Sequence, residues 1–142
     1  MKTLTAIGLA LWLFGISAAA HAAAAASYDG SVPLLCAPAI VLECRTDGTC
    51  AGATPAAADF PAFVKVNPKG KKISALDESR TSPIKVFDRL ADRIILHGSE
   101  GTRAWTMVVS EATGQMSATA SDADHTFVIF GACTLFPGGT GK

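Results

Sequence analysis

The sequence predicts an all-β domain: about eight short strands in an antiparallel meander, forming a small barrel or flattened sandwich stapled by disulfides. Three observations predict it. From about residue 60 onward, short apolar and β-branched runs alternate with turn residues at the spacing of successive hairpins. The chain carries four cysteines, Cys36, Cys44, Cys50 and Cys133, an even number suited to two bridges. Its first 22 residues have the layout of an export signal, which would place those cysteines in an oxidising compartment.

The signal reading rests on Lys2, the apolar run Leu4 to Ile16, and Ala20-His21-Ala22, which sets small residues at a cleavage site. The run is too short and too early for a spanning helix, and no later segment is apolar enough to be one. Residues 1–22 are therefore expected to be removed and residues 23–33 to form a flexible mature N-terminus. Residues 34–136 should form one all-β domain, followed by a disordered tail, 137–142. The expected destination is the periplasm or the medium.

Within the domain, Leu34 to Glu43 is interrupted by Pro38 and leaves room for one strand, Ala39 to Cys44. Cys44 and Cys50 flank an Asp47-Gly48 turn, so a local bridge is expected there, leaving Cys36 to pair with Cys133. Such a bridge across most of the chain contributes roughly 4 to 5 kcal/mol on the loop-entropy model. Gly52 to Pro61 is rich in Ala and Pro and reads as loop. Phe63 to Val66 and Lys72 to Leu76 flank Asn-Pro-Lys-Gly turn chemistry and read as a hairpin. Ser82 to Gly98 fits two patterns. As a helix, Ser82 would cap it and Ile84, Phe87, Leu90, Ala91 and Ile94 would share a face. As a hairpin it would turn near Leu90-Ala91-Asp92, and the neighbouring hairpins favour that choice. Trp105 to Ser110 and Gln115 to Ala120 flank Glu-Ala-Thr-Gly as another hairpin, and Thr126 to Cys133 is a final strand of aromatic and β-branched residues. So many strands in a short chain remove their free edges by closing, and a Cys36–Cys133 bridge would join first strand to last.

Composition excludes several functions. The 12 basic and 12 acidic residues balance, and Lys69, Lys71 and Lys72 are a short turn cluster and no phosphate-binding stripe, so no nucleic-acid partner is expected. The cysteine spacing lacks the close pairs of a zinc site, and no metal or other cofactor is expected. No Gly-x-Ser-x-Gly elbow occurs, and all four thiols would be spent in bridges, which argues against a nucleophilic enzyme.

Cys44-x5-Cys50, Gly101 to Val109 with Trp-Thr-Met-Val-Val, Ala112 to Met116, and Phe127 to Thr134 together resemble a group of small exported proteins of Gram-negative bacteria. That resemblance implies an exported, disulfide-bonded, all-β protein and brings no site with it. Barrel size is also similar to the small periplasmic lysozyme inhibitors. Their Ser/Gly loop carries a tyrosine, however, whereas Gly98 to Arg103 has none and Tyr28 stands near the mature N-terminus.

Few residues invite chemistry. Trp105, with Phe127 and Phe130, would line the mouth of a barrel and bind a small apolar molecule. His97 and His125, with Glu100, Asp122 and Asp124, are the residues from which loops would have to assemble a catalytic site. Glu43 is expected on the solvent side of its strand, opposite Leu42 and Cys44. The expected function is thus non-catalytic binding of a small apolar ligand or an envelope protein. The alternatives are a periplasmic hydrolase inhibitor and an enzyme built around His97 and His125.

Overall fold

A computed structural model describes residues 27–138. The expected signal peptide, and the tail beyond Gly138, lie outside the described residues. Among the described residues nine strands form: β1 (Leu34–Arg45), β2 (Cys50–Ala53), β3 (Val64–Asn67), β4 (Lys72–Ala75), β5 (Thr81–Leu90), β6 (Arg93–Glu100), β7 (Arg103–Ser110), β8 (Gln115–Ser121) and β9 (His125–Leu135). Each pairs antiparallel with its neighbours, and β9 returns to pair along the whole of β1. The result is an eight-stranded closed barrel, β1 and β3 to β9, with β2 as an extra strand beside β1. Closure removes the unpaired edges that an open meander would leave. Ser82 to Gly98 is the hairpin β5–β6, turning at Ala91-Asp92. Both disulfides form as anticipated, Cys36–Cys133 and Cys44–Cys50, each between residues directly opposite in register.

Two expectations about the first two strands need correction. β1 runs unbroken through Pro38, because a bulge between Pro38 and Ile40 absorbs it. Pro38 also falls where β1 has no partner on its second edge, between β3 at Cys36 and β2 at Val41, so an absent N–H is tolerated. Gly52 and Ala53, expected to begin the Gly52 to Pro61 loop, belong instead to β2, which the local disulfide holds to β1 although it lacks β-branched residues.

The core is the barrel interior. Leu34, Val41, Val66, Ile94, Leu96 and Val109 are its fully buried apolar side chains. The bulge also reverses alternation along β1, so that Cys36 and Val41, of opposite parity, both face inward. Glu43 consequently shares the inner side with Val41 and stands opposite buried Phe127, a correction to its expected outward placement.

The two ends of the barrel differ. At one, residues Tyr28 to Gly30 cross from the β7–β8 turn to the β3–β4 turn. The Tyr28 N–H donates to the Glu111 carbonyl at 3.0 Å, and its ring packs on the core beside Gly114. Gly30, with φ of 77°, is buried where a side chain would press on Pro68 and Phe87. Arg89 closes over the same end with a two-pronged pair to Glu111, at 2.8 and 2.6 Å. Residues Tyr28 to Gly30 thus pack as a plug over this end.

Candidate functional site

The other end is open. β3 pairs with β1 only over Leu34–Cys36, and above that point the two strands part. The segment between β2 and β3 straps across the split. Its Phe60 meets Phe127 edge to face, with ring centres 5.3 Å apart, and Arg80 holds Asp59 through both its carbonyl and its carboxylate. Beneath the strap lies a cavity of about 130 Å³. Trp105, Phe60 and Val64 form its walls, and Met107, Met116 and Ile129 lie below.

Trp105 is held from two directions. Its indole N–H donates to the Ser82 hydroxyl at 2.7 Å, and that hydroxyl donates in turn to the Ser99 carbonyl at 3.3 Å. Gly98, its cross-strand partner, provides the gap for the ring: a Cβ there would overlap the indole and the Pro83 carbonyl oxygen. With its one polar atom satisfied by protein, the indole offers the cavity an apolar surface.

Charged groups ring the opening. Arg80, Glu100 and Arg103 all line it. The Arg80 Nε lies 3.7 Å from a Glu100 oxygen. Arg103 lies over the Phe127 ring at 5.0 Å and donates to Asp122 at 3.3 Å. Asp122 is fixed by the β8–β9 turn, accepting the backbone N–H groups of His125 at 2.8 Å and Asp124 at 3.0 Å. Those two bonds, more than Arg103, hold its carboxyl below the ordinary carboxylate range.

The structure separates the aromatic residues singled out in the sequence. Trp105 lines the cavity, whereas Phe127 is buried against Phe60 and Arg103, which line it, and is not itself a lining residue. Phe130, three residues further along β9, has the opposite parity. It is 45% exposed on the outer wall, opposite Ile40, and takes no part. Phe60, Arg80 and Arg103 carry no signal of their own in the sequence, because barrel closure gathers them from segments far apart.

The histidines do not meet. His97 lies on the outside of β6, its Nδ1 2.9 Å from the Thr106 hydroxyl. His125 lies on β9, three strands away, on the order of 14 Å of sheet, with Glu43 and Asp122 oxygens each 3.7 Å from one of its ring nitrogens. Glu100 stays with Arg80, so the five residues form no common pocket. Among the described residues no group of three or more His, Cys, Asp or Glu is placed to hold a metal, and no helix is long and apolar enough to cross a membrane.

No protein-family model, curated protein or solved structure matches the chain. The resemblance to a group of small exported proteins therefore gains no support as a family assignment. The disulfide-bonded all-β barrel stands on the structure alone, and its two bridges are compatible with an oxidising, exported compartment.

Proposed function

We propose that this is an exported, non-catalytic binding protein that takes a small apolar molecule into the barrel mouth against Trp105. One observation carries the reading: an apolar cavity of about 130 Å³ beneath a strap, at the only end of the barrel that residues Tyr28 to Gly30 leave uncovered. Apolar cavities of about 150 Å³ are large enough to take up benzene. This one therefore suits a single ring or a short hydrocarbon chain. Mouths of small barrels are a recurrent place for such ligands.

Filling the cavity tests the reading. Ala118 lines it, between Met107 and Ile129 in neighbouring strands, and Ala118→Leu would occupy the space a ligand needs. Toluene or hexanol should bind the native protein by calorimetry and should fail to bind the variant, whose melting temperature should be equal or higher. Equal binding by both proteins would place the ligand elsewhere and defeat the proposal.

A further inference from the structure

The rim of the cavity narrows the class of ligand, on the footing of the binding reading above. Two guanidiniums and one carboxylate line the opening. They are not equally engaged. Arg80 is occupied by Asp59 on one side and Glu100 on the other. Arg103 is fixed without being saturated. Phe127 supports it from one face and Asp122 takes one of its N–H donors, its only hydrogen bond among the described residues. Asp122 in turn is fixed by two backbone N–H groups. An arginine held this way forms charge-assisted, two-pronged bonds to a carboxylate with little ordering cost. Its side chain is 32% exposed, and apolar surface continues directly below it, so such a bond would be partly shielded from water.

We infer that the ligand is an amphipathic monocarboxylate: an apolar body in the cavity against Trp105, and a carboxylate on Arg103 at the rim. The body is a single ring or a chain of about six carbons, as the cavity volume requires. An ammonium head is disfavoured, because Glu100, the only carboxylate lining the cavity among the described residues, already faces Arg80, and a second guanidinium, that of Arg103, lines the same opening. A neutral head group forgoes the charge-assisted bond.

Calorimetry with hexanoate, 4-methylbenzoate, hexanol and hexylamine on the folded protein distinguishes these cases. Hexanoate or 4-methylbenzoate should bind about tenfold or more tightly than hexanol, with hexylamine weakest, and whichever carboxylate is tighter identifies an acyl or an aryl body. High salt should shrink the carboxylate preference and leave hexanol unaffected, a comparison that needs no variant. Arg103→Gln should bring hexanoate to the level of hexanol, and retained hexanol binding would show the cavity intact. Equal binding of hexanoate and hexanol, or a preference that survives Arg103→Gln or high salt, overturns this inference and leaves the binding reading standing. Failure of all four compounds to bind overturns both.

Discussion

The two ends of the barrel are built from matching parts that are completed differently. Each has an aromatic residue on the core, an arginine paired with a carboxylate, and a disulfide nearby. At the closed end Tyr28 packs on the core, both prongs of Arg89 are satisfied by Glu111, and Cys36–Cys133 is buried beside Gly114. At the mouth Trp105 leaves a cavity, Arg103 is bound at one point, and Cys44–Cys50 ties an exposed hairpin. Saturated groups and filled space leave nothing to add at the closed end; the proposed binding rests on an unsaturated arginine above unfilled apolar space. The difference lies less in residue types than in whether each side chain has found all its partners within the chain.

The disulfides should show the contrast most strongly. Cys36–Cys133 spans 97 residues and joins the first barrel strand to the last, whereas Cys44–Cys50 spans 6. Replacing the first pair by serine should cost about 4 to 5 kcal/mol in denaturant titrations, and replacing the second about 2 kcal/mol. Ligand binding should survive the second change. Equal losses would mean that closure of the barrel does not depend on the long bridge.

A smaller effect is expected at Gly98. Gly98→Ala should cost about 1 to 3 kcal/mol, because the new methyl meets both the indole and a backbone carbonyl, and binding should fall further than stability. Gly52→Ala, where nothing lies within 4 Å, serves as the control and should change neither. If Gly98→Ala retained full binding, the orientation of Trp105 would not matter to the site.

The smallest effect is a response to acid. Each end carries an aspartate held below its ordinary pKa: Asp29 first by the Ser31 hydroxyl, then by the Ser31 backbone N–H, and Asp122 by backbone N–H groups. A lowered folded value means that the stability contribution is present above about pH 4 and disappears as pH falls through the folded value. Asp29→Asn and Asp122→Asn should each flatten the acid side of a plot of melting temperature against pH. Only Asp122→Asn should also weaken carboxylate binding, since it releases Arg103. Parallel binding losses in both variants would break the assignment of function to one end.

Much of this architecture is readable in the sequence. Asn-Pro-Lys-Gly and Glu-Ala-Thr-Gly punctuate the hairpins, and Asp47-Gly48 marks the turn inside the local disulfide. Ser82 to Gly98 is ambiguous because Ile84, Phe87 and Ile94 satisfy a helical spacing as well. The bulge between Ile84 and Val86 allows Ile84 and Phe87 to share a face in a strand too. A bulge likewise hides the correct side for Glu43, since alternation read without it has the wrong phase. Phe127 and Phe130 look equivalent in composition, yet an odd separation sends them to opposite faces. The site is less legible. Trp105 stands out as a lone aromatic after a glycine loop, but Ser82, Gly98 and Phe60, which position and enclose it, gain meaning only once the barrel closes.

The most direct test of the central claim is a nuclear magnetic resonance titration of the folded, isotope-labelled protein with hexanoate. The account predicts shift changes at the Trp105 indole, the Met107 and Met116 methyl groups and the Arg103 guanidinium, with Tyr28, Arg89 and Glu111 silent. Changes centred on the outer-wall pair Ile40 and Phe130, or at the closed end, would contradict it.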